Sequence, residues 1–183
     1  QNELGSNLSL LENLENLSLL SHPMYEEIYN IDKLLIRFIQ KRGAGLRSLK
    51  IGKYQITEVA LRELQEHCKK LNEFHYIHEK KCGYFYDRTE YIINNYFNDT
   101  AIRVLTKLKN IKILNISYSL LSDSELAYII QSCHSLRKLY LNHCKYFGTK
   151  SLLAFISSAL KHPNEAFRLK IDHSGDTLTQ ELL

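Results

Sequence analysis

Cysteine is scarce in this chain, with four residues in 183 at positions 68, 82, 133 and 144, too few and too irregularly spaced for a disulfide framework. That scarcity points to a reducing, intracellular setting, expected to be the cytoplasm. No apolar run reaches the roughly 18 residues of a membrane span, so no membrane partner is expected. Neither sign of charge dominates. The 24 Lys+Arg against 20 Asp+Glu leave an excess too small for the clustered basic stripe that grips nucleic acid. Fingerprints of chemistry are missing as well: there is no G-x-S-x-G, no P-loop and no dinucleotide-binding glycine turn. Carboxylates stand singly on polar faces, and Glu26-Glu27 is most simply a solvated helical segment. Neither an enzyme nor a cofactor is expected.

What the chain does have is a period. Leu136-Arg-Lys-Leu139-Tyr-Leu141-Asn-His-Cys144 reads L-x-x-L-x-L-x-x-C, and Ile111 to Ser119 and Leu46 to Tyr54 repeat the spacing. Leu46 to Leu71 is 25 residues, and Ile111 to Leu136 is 25 again. A fixed repeat in this range is the signature of a solenoid. The pattern resembles the leucine-rich repeat, which implies an α/β array with a curved parallel sheet and helices on its convex side. Six units are expected, with strands near 14–20, 46–52, 71–77, 111–117, 136–142 and 166–172. They make a single domain spanning 1–183. Repeat arrays need polar terminal caps. The chain starts Gln-Asn-Glu-Leu, without a signal-peptide pattern, and stops at Glu181-Leu182-Leu183, without a polar closing helix. It is therefore expected to be a segment of a longer protein, or to have its ends covered by neighbours.

Between strands the apolar spacing turns helical, as in Ala60, Leu61 and Leu64, or Leu126, Ile129 and Ile130. Thr57-Glu58, Ser122-Asp123 and Thr149 with Ser151 supply the cap chemistry that helix starts need. Two units depart most from that length. Leu14 to Leu46 spans 32 residues and Leu71 to Ile111 spans 40, the second exceeding its neighbours by 15. The excess forms an insertion near 79–98.

The unit from Leu46, through Ile56-Thr57, Leu61 and Leu64 to Cys68 and Leu71, resembles the cysteine-containing class of leucine-rich repeat. The unit from Ile111, with Leu121-Ser-Asp123, Leu126, Ile129 and Cys133, is similar to it too. Such repeats form the substrate-binding half of F-box and leucine-rich-repeat proteins. The resemblance implies recognition of a protein marked for ubiquitination. No F-box is visible in this chain, and related repeats also serve as scaffolds in ciliary and mitochondrial assemblies.

Cys68 and Cys133 end two repeat helices, and Cys144 follows a strand. Each suits a small thiol packed into a tight corner. His75, His78 and Cys82, with His67-Cys68 nearby, carry zinc-binding atoms, but zinc-finger pairing is absent and His75 falls within a strand. No metal site is expected.

Side chains alternate along a strand. If the third and fifth positions after the first leucine face inward, the second, fourth and sixth face the concave side. That assigns Lys50, His75, Asn115 and Asn142 to the concave surface, with Lys138, Tyr140, Arg168 and Lys170 at its basic end. The concave sheet is the usual docking surface of a solenoid. The insertion competes with it, because Tyr84, Tyr86 and Arg88 are the residue types favoured at interface hot spots. The expected function is a non-catalytic module that binds a protein partner, within a multi-subunit complex, through one or both surfaces. It is read first as the recognition part of an F-box-like ubiquitin-ligase adaptor. The alternative is a structural scaffold subunit of a large intracellular assembly.

Overall fold

The computed structural model describes residues 13–20, 29–52, 54–77 and 99–171. In chain order the first elements are β1 (Asn16–Leu20), β2 (Tyr29–Asn30), α1 (Asp32–Arg42), β3 (Ser48–Gly52), β4 (Tyr54–Gln55), α2 (Glu58–His67) and β5 (Glu73–Ile77). They are followed by α3 (Asp99–Leu105), β6 (Ile113–Asn115), α4 (Asp123–Ser132), β7 (Lys138–Tyr140), α5 (Thr149–Leu160) and β8 (Arg168–Lys170). Six of these strands form one parallel sheet in the order β1-β3-β5-β6-β7-β8. The short β2 and β4 pair separately, also in parallel. Parallel neighbours need a crossover connection, and the helices supply it between most of the strands.

One apolar residue from every strand falls in register. Leu17, Leu49, Phe74, Leu114, Leu139 and Leu169 form a continuous row across the sheet. The first five are 5% exposed or less. Helices lay Phe38, Leu61, Leu64, Leu105, Ile129, Ile130 and Phe155 against that row, in a single core. A leucine row of this kind has no value for one unit alone, since only the neighbouring layers remove it from water.

The strands begin two residues later than the repeat pattern suggests, because the first leucine of each unit belongs to the preceding turn. Leu46, Leu71, Ile111 and Leu136 are all buried. Their amides donate back to Gly43, Cys68, Leu108 and Cys133 at 3.0, 3.0, 3.2 and 2.9 Å. Cys68 and Cys133 are thus the residues that close α2 and α4. At Gly43 any β-carbon would stand 2.8 Å from the Cys68 sulfur, so the tight corner there requires glycine.

Helix starts carry a device that links one unit to the next. Ser122 caps α4 locally: its hydroxyl accepts from the Glu125 amide at 3.3 Å, and the Glu125 carboxylate accepts from Ser122 N at 2.6 Å. Asp123, the first residue of α4, instead reaches forward to α5. Its carboxylate accepts from the amides of Gly148, Lys150 and Ser151 at 3.1, 2.9 and 2.8 Å, and from the Ser151 hydroxyl. Gly148, not Thr149, is therefore the cap residue of α5. A β-carbon there would lie 2.9 Å from the Asp123 carboxylate. Asp32, the first residue of α1, treats α2 in the same way, accepting from Thr57 N at 2.8 Å.

Among the described residues no helix is long and apolar enough to cross a membrane.

Candidate functional site

The sheet face turned away from the core carries two rows that run in register across all six strands. One runs Ser18, Lys50, His75, Asn115, Tyr140 and Lys170; the other runs Asn16, Ser48, Glu73, Ile113, Lys138 and Arg168. The candidate residues Lys50, His75, Asn115, Lys138, Tyr140, Arg168 and Lys170 thus lie on one continuous surface. Lys50, Arg168 and Lys170 are exposed, whereas His75, Asn115, Lys138 and Tyr140 are half-buried. Residues 84, 86 and 88, with the insertion at 79–98, lie outside the described residues, as do Cys82 and His78.

Charge is uneven along the face. Its first half contains Glu73, whose carboxylate accepts from the Ser48 hydroxyl at 2.9 Å and stands 4.0 Å from His75 Nε2. Burial, then the nearby Lys50 ammonium, push the His75 pKa down against the opposing pull of Glu73. His75 is therefore mainly neutral near pH 7. Its ring tilts towards Tyr140, 6.3 Å between centroids at 35°, across the intervening β6. Serine, glutamate and histidine meet here, but the Ser48 proton is directed at the carboxylate. A nucleophile activated by histidine would need that hydroxyl aimed at the imidazole.

Two polar side chains at the end of β6, Asn115 and Ser117, are occupied by the backbone turn. Asn115 Oδ1 accepts from Ser117 N at 3.1 Å and from the Ser117 hydroxyl at 2.7 Å. Ser117 Oγ in turn accepts from Asn142 N at 3.1 Å. Ser117 is only 3% exposed, so the alternation that would bring it to the surface has ended with β6 at Asn115. Asn142 Oδ1 is enclosed, with no hydrogen-bond partner among the described residues. Of the two candidate asparagines, Asn115 uses its oxygen internally and Asn142 turns its oxygen away from solvent. After β6 and after β7 the chain passes through the left-handed region, at Tyr118 with φ 65° and His143 with φ 58°. Their rings stack 4.5 Å apart.

The three described cysteines serve packing. Cys68, Cys133 and Cys144 are free and buried. Burial pushes the thiol of Cys68, despite the opposing effect of Lys69, and that of Cys133 to about 12. Cys144 lies 3.4 Å from the Ser119 hydroxyl, its equivalent in the preceding unit. His67 is engaged with Glu63 at 3.3 Å on the helical side, while His75 faces the other side of the sheet, so these two imidazoles do not converge.

Among solved structures, the tropomodulin C-terminal domain of Caenorhabditis elegans is similar to this chain. The likeness covers 79% of this chain and 84% of that one, with a TM-score of 0.52 and 14% sequence identity. It is a likeness of fold. No family model matches the sequence, and no curated protein matches it. The chain therefore has the leucine-rich α/β architecture of an open parallel sheet backed by helices. No sequence signal foretold the forward reach of Asp123, although an aspartate at the first helical position recurs in Asp32.

Proposed function

We propose that this leucine-rich repeat chain is a non-catalytic protein-interaction module whose open sheet face docks a protein partner. The observation that carries this reading is the basic, tyrosine-containing surface formed by Lys50, His75, Lys138, Tyr140, Arg168 and Lys170 in register on one sheet. Tyrosine and arginine contribute disproportionately to interface energy. The fold shared with the tropomodulin domain suits such a role. The repeat resemblance to F-box and leucine-rich-repeat proteins, together with the buried Cys68 and Cys133 at helix ends, supports a finer reading as the recognition part of a ubiquitin-ligase adaptor.

A structural scaffold subunit is the second reading. It is favoured by the outer flank of α5, where Leu153, Ile156 and Leu160 are 57%, 43% and 75% exposed. Affinity purification from the native source, followed by mass spectrometry, separates the two. Ligase components with substoichiometric substrates support the adaptor, and a stable particle of fixed composition supports the scaffold. In either case Tyr140→Ala and Lys50→Glu should deplete the captured partner, whereas an exposed change off the sheet face, Lys107→Glu, should not. Equal depletion by all three, or by none, refutes the interaction face.

A further inference from the structure

Cations beside the sheet and on its open face differ in their partners. Just before β3 and β7, arginines have acidic partners. Arg47 Nε donates to Glu15 at 3.0 Å, and Arg137 Nη2 donates to Glu165 at 2.9 Å, with Nε also on that carboxylate. On the open sheet face they do not. Lys138 stands directly opposite Arg168 on adjacent strands, and Tyr140 stands directly opposite Lys170. Among the described residues none of these three cations forms an ion pair. Like charges directly across a strand pair are destabilising, so this arrangement opposes folding and needs a reason outside the fold. The only carboxylate on the registered rows, Glu73, sits two strands away and is held by Ser48.

The geometry of the block is that of a receptor for spaced carboxylates. Adjacent strands lie about 4.8 Å apart, and alternate residues along a strand lie about 6.6 Å apart. Lys138, Arg168 and Lys170 thus present three positive charges over a patch that alternate acidic side chains of an extended chain can meet. Tyr140 fills the fourth corner, half-buried, with its ring leaning towards His75. It offers an apolar flank and a phenol beside the charges, which suits a peptide better than a bare anion. Continuous nucleic acid fits poorly, because Ile113 and Asn115 interrupt the basic surface on β6.

We infer that the Lys138–Tyr140–Arg168–Lys170 block is the docking site for an acidic protein segment, with carboxylates at alternate positions held across β7 and β8. The inference rests on the interaction face proposed above and names the chemistry of its partner. Anions brought to the block would neutralise the repulsion between Lys138 and Arg168, and affinity would fall with added salt as the Debye length shrinks.

The test uses the full chain and a fluorescein-labelled octaglutamate peptide, with octaglutamine and an oligothymidylate as comparisons, read by fluorescence anisotropy. Octaglutamate is expected to bind at low salt and octaglutamine to fail. Lys138→Glu with Lys170→Glu should weaken octaglutamate by at least about tenfold, which corresponds to about 1.4 kcal/mol. The milder Lys138→Gln with Lys170→Gln gives a second measurement if the reversed protein fails to fold. Lys107→Glu with Lys109→Glu changes the net charge equally from exposed positions off the face and should leave binding intact. Stronger binding of the oligothymidylate, no binding of octaglutamate, or equal loss in both pairs of reversals overturns the assignment. If that happens while Tyr140→Ala still depletes the native partner, the face remains an interaction surface and only the acidic chemistry is wrong.

Discussion

Replacing Asp123 with alanine tests whether one repeat unit holds the next. The substitution removes the acceptor for the amides of Gly148, Lys150 and Ser151 and for the Ser151 hydroxyl. Loss of a helix cap costs about 0.5–2 kcal/mol, and a buried donor left without an acceptor costs about 1–3 kcal/mol. The four interactions do not add. Lys150 is exposed and its amide can turn to water, whereas Ser151 is fully buried. A net loss of about 2–3 kcal/mol is expected, which for a chain of this size lowers Tm by about 4–12 °C. The deficit should also depend on pH. Burial raises the Asp123 pKa, but the donors of Ser151, Lys150 and Gly148 together outweigh it and hold the group below its ordinary 3.8. A depressed carboxylate contributes stability that is present above its unfolded pKa and is lost as pH falls through the folded value. The gap between wild type and Asp123→Ala should therefore be full at neutral pH and close in acid, below the ordinary value. Gly148→Ala should show part of the same loss, and less than its own cost when added to Asp123→Ala, since both act on one contact. Differential scanning calorimetry of the three variants measures all of this. An Asp123→Ala protein that melts with the wild type would refute the argument that α4 caps α5.

Leu139→Ala removes the centre of the registered row and should cost about 2–5 kcal/mol, seen as a lower urea midpoint; an unchanged midpoint would contradict the burial assigned to β7. His75, with its lowered folded pKa, makes the native state reluctant to take up a proton, so stability should be full above the ordinary 6.5 and decline as pH drops below it. His75→Gln should flatten that decline, and a slope identical to wild type would dismiss His75 as its source. Cys68 and Cys133, with thiols pushed to about 12, should resist iodoacetamide at mildly alkaline pH in the folded protein and react on denaturation. Peptide mapping that finds either one alkylated in the native state at the rate of a free thiol would exclude the packing role.

The sheet was legible because its signal is repeated. Leu49, Leu114 and Leu139 each sit at the same place in their unit, and the row they form follows from the period alone. The exposed row was legible for the same reason, through alternation. Legibility ends where alternation ends: counting onwards places Asn142 on the surface, but its strand stops at Tyr140. The β2–β4 pair, two residues long, is too short to leave a pattern in the sequence. Asp123 was recognised as cap chemistry, yet its target lies 25 residues on, and a cap donated across units has no local spelling. The class of partner is hardest of all, because a basic corner is read from the register of two strands and not from either strand alone.

The forward caps have a direction. Asp32 serves Thr57 and Asp123 serves Gly148, so in both cases the earlier unit supplies the carboxylate and the later one supplies the amides. During synthesis, which delivers the N-terminal residues first at roughly 5–20 residues per second, each accepting carboxylate emerges before the helix that requires it. A helix leaving the ribosome therefore meets its acceptor already in place on a completed layer, and the array can grow in the order in which it is translated. The reverse polarity would leave each new helix waiting, uncapped, for a unit not yet made.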